Sequence, residues 1–214
     1  MYCSARQWYF KIREAVSNAE TVPLISRFTE NSMILTDGRE VEIDAVIFCT
    51  GYTREFPFLD ESCHVQVKEK RITPMYKGVV HTEFPTILFF LGLKEFNNYT
   101  GTVSVQARFV ASLIQGNGSL PSEDEMNAEI EQELETVLKA GQPPKACHYL
   151  TFEQANYCAA LETLANIPHS PVSMWKALEA LIEDYVVKCN FHILRDIQYI
   201  VKDDTNWERI YPQK

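Results

Sequence analysis

The sequence predicts an α/β fold with a helical C-terminal region. Two apolar runs, residues 44–49 and 86–91, each stop shortly before a glycine. Uninterrupted apolar runs of this length are typical of strands buried on both faces of a parallel sheet. From about residue 102 onward, apolar residues recur instead at helical spacing. This order of patterns favours sheet strands first and packed helices after them.

The first apolar run ends on Thr50-Gly51-Tyr52. In a nucleotide-binding α/β sheet, the C-terminal end of a parallel strand faces the ligand. A glycine at that end has no Cβ, so another group can approach the backbone closely. A core strand followed by an ordinary turn glycine explains the same pattern, and both interpretations stay open at this point.

Local signals assign several other elements. An Asp37-Gly38 turn within residues 24–43 predicts antiparallel hairpins that lead into the first apolar run. Ser122 and Glu125 form a capping box that opens an acidic helix. Further helices are predicted over residues 102–116, over residues 151–166 and after Ser170-Pro171, with strand-like runs at 191–194 and 199–201.

Charge and hydropathy exclude several classes of function. The chain has 214 residues and a net charge of −9, so it lacks the basic surface that provides most nucleic-acid affinity. The same charge gives no general attraction to anionic membranes. The longest apolar run, Thr86 to Leu93, is too short to span a bilayer. We therefore expect no nucleic-acid partner and no transmembrane segment.

The cysteines and histidines indicate no metal site. The six cysteines are scattered without a Cys-x-x-Cys pair, which excludes the usual zinc and thioredoxin spacings. The five histidines show no ligand spacing either. Residues 1–20 carry charges and no apolar run long enough for a secretory signal. We therefore expect reduced thiols and a cytoplasmic location.

Residues 44–61 (DAVIFCTGYTREFPFLDE) resemble the flavin-containing monooxygenases. In that family an Ala-Thr-Gly-Tyr run is usually followed by a Phe-Pro-Phe-Leu cluster, and Cys49 stands here where alanine is usual. Further blocks of likeness follow in the same order, at residues 75–80, 85–93, 106–109 and 120–122. The bacterial trimethylamine-type and the animal members are the most similar.

The resemblance implies a flavoprotein with two Rossmann-like dinucleotide-binding domains, one for FAD and one for NADP. In such enzymes NADPH reduces the flavin, and oxygen on the reduced flavin oxidises amines or sulfides. Each dinucleotide normally needs a Gly-x-Gly-x-x-Gly turn around its pyrophosphate. No glycines of this sequence have that spacing. We therefore expect the C-terminal part of such an enzyme, inactive alone, with FAD and NADPH bound only beside the missing N-terminal part.

The resemblance also divides the chain into three parts. Residues 1–52 end the NADP-binding domain with β-hairpins and a closing strand. Residues 53–118 end the FAD-binding domain with strand 86–91 and helix 102–116, and residues 119–214 form a C-terminal helical region and tail. Both closing strands lack neighbours in this sequence, and each unpaired buried backbone group costs about 1–3 kcal/mol. We therefore expect poor folding alone, or strand pairing that the family does not use.

Eight residues are cofactor-binding candidates through the resemblance, and no residue is assigned to catalysis. The helix that holds Gln106 would direct its N-terminus at the flavin ring, where a helix dipole stabilises negative charge. Arg195, in an Arg-Asp-x-x-Tyr run, would contact NADP; a surface ion pair with Asp196 is the alternative. The candidates are Thr50, Gly51, Tyr52, Asn98, Tyr99, Thr100, Gln106 and Arg195.

Three functional hypotheses follow. The first is a flavin monooxygenase that takes a small-molecule amine or sulfide and O2. The second is a non-catalytic remnant of the family that docks onto a partner through its unpaired strands and acidic helices. The third is a helical interaction domain over residues 120–190. A homo-oligomer is compatible with each of them.

Overall fold

The structure is a computed structural model, and it describes residues 2–4, 18–96, 99–150, 153–184, 188 and 194–212. The chain divides into two compact units. The first unit comprises Met1–Gly51, Ala177–Lys202 and Trp207–Lys214. The second unit comprises Tyr52–Lys176 and Asp203–Asn206.

Short strands and four helices make up the regular structure of the described residues. The strands are β1 (Tyr2–Ser4), β2 (Glu20–Val22), β3 (Ile25–Phe28), β4 (Ser32–Leu35), β5 (Glu40–Glu42), β6 (Gln66–Lys68), β7 (Arg71–Thr73), β8 (Met75–Tyr76), β9 (Val80–His81), β10 (Glu95–Phe96), β11 (Tyr149–Leu150), β12 (Gln198–Val201) and β13 (Trp207–Ile210). The helices are α1 (Tyr99–Ile114), α2 (Glu123–Lys139), α3 (Gln154–Leu164) and α4 (Val172–Ile182), and 3-10 turns lie at Glu61–Cys63, Pro144–His148 and Leu194–Asp196. The α/β class is confirmed.

The first unit contains the hairpins expected from the Asp37-Gly38 turn. Strands β3, β4 and β5 form an antiparallel sheet, and β1 pairs in parallel with β2. Gly38 adopts φ +87°, a left-handed conformation that glycine adopts without a steric penalty. Its N–H donates to Leu35 O at 3.0 Å. Apolar residues of β2, β3, β4, β5 and the residue after β5 pack together beneath this sheet: Val22, Ile25, Met33, Leu35, Val41 and Ile43.

A buried carboxylate holds the last hairpin of the first unit. Strands β12 and β13 pair antiparallel, which confirms the strand expected at 199–201; residues 191–193 lie outside the described residues. Asp184 accepts hydrogen bonds from Tyr199 Oη at 2.6 Å and from Arg209 Nη1 at 3.1 Å. Burial raises the pKa of Asp184, but hydrogen bonds from Tyr199 and Lys188 and the charge of Arg209 outweigh it and keep the pKa below its ordinary value. The carboxylate is therefore ionised and paired.

The helices of the second unit agree with the expectations from sequence. The capping box of α2 is present, since Ser122 N–H donates to Glu125 Oε2 at 2.8 Å and Ser122 Oγ accepts from Glu125 N at 3.3 Å. Helix α1 packs against α3, and α2 packs against β8 and the 3-10 turn Pro144–His148. The core between these elements includes Val79, Val105, Phe109, Met126 and Leu161, all almost fully buried.

The expectation of a buried closing strand at residues 44–49 is wrong in this structure. These residues have no regular secondary structure, and the side chains of Ile47 and Phe48 are 87% and 71% exposed. A strand needs neighbours that accept and donate its backbone hydrogen bonds. None of the sheets formed by the described residues includes this segment.

The expectation of a second buried strand, at residues 86–91, is also wrong. The chain turns at 85–87, and a single bridge joins Phe89 to Val80. Phe90 N–H donates to Val79 O at 2.8 Å, and His81 N–H donates to Leu88 O at 3.1 Å. Residues 88–90 therefore pair locally with residues 79–81.

Candidate functional site

The candidate site is built around the segment that precedes helix α1, residues 92–96, called here the 92–96 segment. Gln106 on α1 is fully buried and anchors its start. Gly92 N–H donates to Gln106 Oε1 at 2.9 Å, and Gln106 Nε2 donates to Tyr157 Oη at 2.7 Å. Tyr157 Oη in turn donates to Lys77 O at 2.8 Å. The Gln106 amide thus connects the 92–96 segment to Tyr157 on α3, and Tyr157 connects it to the turn between β8 and β9.

Lys94 is the second anchor of the 92–96 segment. Its side chain is almost fully buried, with Nζ 2.5 Å from Glu133 Oε1 and 2.7 Å from Cys147 O. A buried ammonium requires such partners, because an unpaired buried charge is strongly unfavourable. A Cβ added to Gly78 would lie 2.8 Å from Lys94 Cγ, and Gly78 has φ +67°. Glycine is therefore required where the lysine stem passes the turn.

The end of the 92–96 segment is held by two further contacts. Glu95 and Phe96 form β10, which pairs in parallel with β11. Arg54 Nη2 donates to Glu95 Oε1 at 2.5 Å. Residues from distant parts of the sequence therefore contact residues 92–96. Together these contacts fix the position of the backbone that leads into α1.

His148 is a buried neutral histidine behind this segment. Its Nε2 accepts the backbone N–H of Ile72 at 2.9 Å; the proton of the neutral ring therefore resides on Nδ1. Burial, together with the positive charges of Arg54, Lys94 and Arg71, lowers the pKa of His148 to about 3. At neutral pH this ring is a structural acceptor and carries no charge.

The buried thiols and the buried phenol near α3 are protonated at neutral pH. Burial raises the pKa of Cys158 to about 12 and also raises the pKa of Cys147. Burial raises the pKa of Tyr157 as well, although the hydrogen bond from Gln106 acts to lower it. Tyr157 makes hydrogen bonds to Gln106 and to Lys77 O, and none of the three groups is an ionised nucleophile.

Two cavities large enough for more than a single water molecule border the 92–96 segment among the described residues. The larger has a volume of about 600 Å³ and is lined in part by Arg54, Ile72 and Gly92. The smaller has a volume of about 230 Å³, and Lys94 and Tyr157 contribute to its wall. The larger volume falls within the range of small-molecule sites. No group of three or more metal-ligating side chains occurs among the described residues.

The candidates around the first apolar run are exposed. Thr50 and Gly51 lie in the first unit, and Tyr52, which begins the second, has a side chain that is 96% exposed. Gly51 adopts φ +76° and has nothing within 4 Å of a Cβ added to it. The glycine therefore meets a conformational requirement of the backbone in this structure. Cofactor contacts of these residues stay predictions.

The other candidates lie in both units. Arg195 belongs to the first unit; its side chain is 95% exposed, and its Nε lies 3.9 Å from Asp196 Oδ1, the surface pair considered as the alternative. Tyr99 and Thr100 begin α1 in the second unit, and Gln106 lies further along it. Asn98 lies outside the described residues. Cofactor binding by these residues stays a prediction.

Sequence reasoning missed Lys94, Tyr157 and His148. Lys94 interrupts an apolar stretch just after Gly92-Leu93, which is a visible signal that a charge must find a partner. Its partner Glu133 lies 39 positions away and is one of several glutamates on α2. No spacing rule selects among them, so the pair becomes evident only in the folded chain.

The chain belongs to a flavoprotein family. A family model described as Flavin-binding monooxygenase-like matches residues 15–209. Flavin-containing monooxygenase FMO GS-OX4 of Arabidopsis thaliana is 30% identical over 150 residues, which are 70% of this chain and 32% of that protein. FMO GS-OX-like 1 of the same plant is 33% identical over 140 residues, or 65% of this chain and 30% of that protein. The chain thus spans about a third of the length of these relatives.

Solved structures show the same fold relationship. S-allyl-L-cysteine S-oxygenase from Allium sativum superposes with a TM-score of 0.65 at 24% identity, covering 82% of this chain and 44% of that one. Tmm from Pelagibacter sp. strain HTCC7211 superposes with a TM-score of 0.69 at 24% identity, covering 95% and 45%. More than half of each matched structure lies outside the alignment. Within the described residues, no helix has the length and apolar character needed to cross a membrane.

The residues described here do not form a complete flavin site. The sequence has no Gly-x-Gly-x-x-Gly turn for a pyrophosphate. The amide of Gln106 already accepts one hydrogen bond and donates another inside the protein. The arrangement positions the 92–96 segment beside a cavity.

Proposed function

We propose that this chain provides the C-terminal part of a flavin- and NADPH-dependent monooxygenase that oxygenates amine nitrogen or sulfide sulfur. The match of the family model over residues 15–209 carries the proposal. The name of the Allium sativum S-oxygenase supports a sulfide among the candidate substrates. The small-molecule substrate and O2 would be handled by the assembled enzyme, in the cytoplasm.

In this proposal the chain positions cofactors that other residues hold. Residues 1–52 would end the NADP-binding domain, residues 53–118 the FAD-binding domain, and residues 119–214 would form the C-terminal region. Because the sequence has no pyrophosphate-binding glycine turn, FAD and NADPH would bind only when a polypeptide with those turns is present. The buried hydrogen bonds of Gln106 and Lys94 support a rigid 92–96 segment at the flavin side of the site.

Flavin retention tests this proposal. The chain is purified, mixed with FAD, passed through a desalting column and examined for flavin absorbance, and NADPH oxidation is then followed. Without the glycine turns we expect neither bound flavin nor NADPH oxidation. Stoichiometric flavin on the chain alone would contradict the expectation that it is incompetent by itself.

Co-expression supplies the complementary measurement. The partner is the part of the Allium sativum S-oxygenase that this chain does not match, and an unrelated soluble protein is the control. We expect a higher soluble yield and retained flavin with the first partner only, because unpaired strands then find neighbours. An unchanged yield together with absent flavin would argue against the proposal.

A partner-binding remnant of the family is the second candidate. The exposed apolar residues Val46, Ile47 and Phe48 favour it, because such a segment is available to another polypeptide. A chain that is soluble, binds no flavin in either experiment and is captured by an intact relative would support this candidate. Flavin-dependent NADPH oxidation by the co-expressed pair would exclude it.

A further inference from the structure

A further cavity of the second unit lies between the end of helix α1 and the start of α2, and it is called here the α1–α2 cavity. Its volume is about 470 Å³, and its lining residues come from 82–86, 113–121 and 123–126. None of these lining residues borders the two cavities beside the 92–96 segment. The α1–α2 cavity is therefore separate from the candidate site.

The walls of the α1–α2 cavity are held by contacts within the second unit. Ser119 N–H donates to Leu164 O at 2.8 Å, and a Cβ added to Gly118 would lie 3.0 Å from the same carbonyl oxygen. The backbone N–H of Thr82 donates to Pro74 O at 3.3 Å. The capping box described above fixes the start of α2. The chain itself therefore determines where these lining residues lie.

The hydroxyl of Thr82 is a buried polar group in the wall of this cavity. Thr82 is 1% exposed, and its Oγ1 has no hydrogen-bond partner among the described residues. A buried hydroxyl without a partner is unfavourable, and nearly all such groups in proteins are paired with protein or with a bound molecule. A polar group bound in the α1–α2 cavity would supply the missing hydrogen bond.

Two carboxylates give the cavity a negative potential. Glu83 and Glu123 line it, and the lining residues that the structure describes include no lysine or arginine. Glu83 Oε2 lies 2.6 Å from His64 Nδ1, whereas the side chain of Glu123 has no ion pair or hydrogen bond within the described part of the chain. Burial lowers the pKa of the adjacent His81, although the charges of Glu83 and Glu123 act to raise it. Both carboxylates therefore act on the same region.

The start of α2 does not cancel this potential. A helix N-terminus carries about half a positive charge, but the first turn of α2 contains three acidic side chains, those of Glu123, Asp124 and Glu125. The acidic charge exceeds the charge of the helix terminus. A cation is therefore the favoured occupant.

The apolar part of the lining determines which kind of cation fits. Leu113, Leu120 and Met126 line the cavity together with Pro85 and Pro121. Calcium and magnesium ions require six or more oxygen ligands or bound waters, and apolar side chains provide no ligand. A hydrocarbon group gains free energy by leaving water for such a surface. The lining therefore favours an organic cation over a metal ion.

We propose that the α1–α2 cavity binds a small alkylammonium ion. Its nitrogen donates hydrogen bonds to the Glu123 carboxylate and to Thr82 Oγ1, and its hydrocarbon part lies against Leu113, Leu120 and Met126. The protonated amine thus supplies both the missing partner of the buried hydroxyl and the missing counter-charge of Glu123. This site does not depend on the proposed function, because it is formed without the 92–96 segment.

A titration followed by nuclear magnetic resonance tests the proposal on the full chain, labelled with nitrogen-15. The probe is n-butylammonium chloride, and sodium chloride keeps the ionic strength constant. We expect saturable shifts of the amide signals of residues 82–86 and 118–126, with a dissociation constant of about 1 mM for a ligand of this size. Butan-1-ol, which has the same chain but no charge, and ammonium chloride, which has no chain, should each bind at least about tenfold more weakly.

A pair of variants in the first turn of α2 tests the role of Glu123. Glu123→Gln removes the charge that faces the ligand and should raise the dissociation constant by about tenfold. Asp124→Asn is the matched control, since it removes the same charge from the same turn at a residue that does not line the cavity. The control should change the dissociation constant by less than about threefold.

Thr82→Val tests the hydroxyl. The dissociation constant should rise by about fivefold because the bound ammonium loses one acceptor. The midpoint of thermal unfolding of the free chain should not fall, since the hydroxyl that is removed has no partner to lose. A lower midpoint in the free variant would show that the hydroxyl is already paired inside the protein and would overturn its assigned role.

Three further results would overturn the proposal. The absence of saturable shifts with n-butylammonium would show that the cavity is not an ammonium site. Equal affinity for butan-1-ol or for ammonium chloride would reduce it to an apolar pocket or to a diffuse negative field. Equal weakening by Glu123→Gln and Asp124→Asn would remove Glu123 from the site. Flavin enters none of these measurements, so their failure is distinguishable from failure of the proposed function.

Discussion

Residues 44–51, the exposed segment, and helix α1 are both apolar stretches for which the sequence predicts burial, yet only α1 is buried. Phe109 on α1 is inaccessible to solvent, whereas Phe48 is largely exposed. A helix satisfies its own backbone hydrogen bonds within the segment and needs only a surface to pack against. A strand needs other strands first. An apolar pattern therefore shows that a segment requires burial, but not that the rest of the chain can provide it.

The same substitution in both regions gives the largest expected contrast. Phe109→Ala removes a fully buried ring and should lower the free energy of unfolding of the second unit by about 3–5 kcal/mol. Phe48→Ala removes an exposed ring and should change stability by less than about 0.5 kcal/mol. Denaturant titration followed by circular dichroism measures both. Equal losses would mean that the exposed segment is covered in solution.

The buried hydrogen bonds of Gln106 on α1 are a second difference between the two regions. The described residues of the exposed segment have no buried side-chain hydrogen bonds. Gln106→Leu leaves Gly92 N–H and Tyr157 Oη without this partner, and the expected loss of stability is about 1–3 kcal/mol. Tyr157→Phe is the second variant of a double-mutant cycle. We expect a coupling energy of about 0.5–3 kcal/mol between the two positions. Additive losses would show that the two side chains act separately.

The titration of His148 gives the smallest effect within the interval from pH 6.5 to 5.5. Its pKa is about 3 in the folded chain against 6.5 for a free histidine. The folded state therefore binds fewer protons than the unfolded state between these values, and stability that is complete above pH 6.5 declines as the pH falls toward 3. Between pH 6.5 and 5.5 the decline from this residue should be about 1 kcal/mol.

His148→Gln serves as the control for this titration. The glutamine carbonyl can accept the Ile72 N–H that His148 Nε2 accepts now, and it does not titrate. Unfolding measured at a series of pH values should therefore show a flatter acid limb for the variant. Parallel pH profiles for variant and parent would mean that His148 is accessible to protons in the folded chain.

The elements that could be predicted are those whose signals are local. The Asp37-Gly38 turn and the Ser122–Glu125 capping box act within a few residues, and the structure contains both. The strands expected at 44–49 and 86–91 depend on neighbours, and no sheet formed by the described residues includes either run as a strand. Two expectations concerned these runs: that they form buried strands, and that such strands would lack pairing neighbours. The second was the better one, because it considered the backbone hydrogen bonds together with the apolar pattern.

The site was less predictable than the fold. Gln106 was identified through the resemblance as a cofactor contact, which stays a prediction, and its two internal hydrogen bonds were not foreseen. Its partner Tyr157 lies 51 positions away on a helix whose apolar spacing says nothing of a hydrogen bond. Polar pairs between distant elements have no period and no fixed spacing, so a single sequence does not reveal them.

The way in which the 92–96 segment is anchored has a consequence for the order of folding. Helix α2, with its capping box and its Glu135–Lys139 pair four residues apart, contains contacts that close quickly. The contacts that hold the 92–96 segment join residues far apart in the sequence. Lys94 and Cys147 are 53 positions apart, and Lys77 is 80 positions from Tyr157, the residue that binds Gln106. Because long loops close more slowly than local turns, the entry into α1 should acquire its final geometry late, after the helices that hold it.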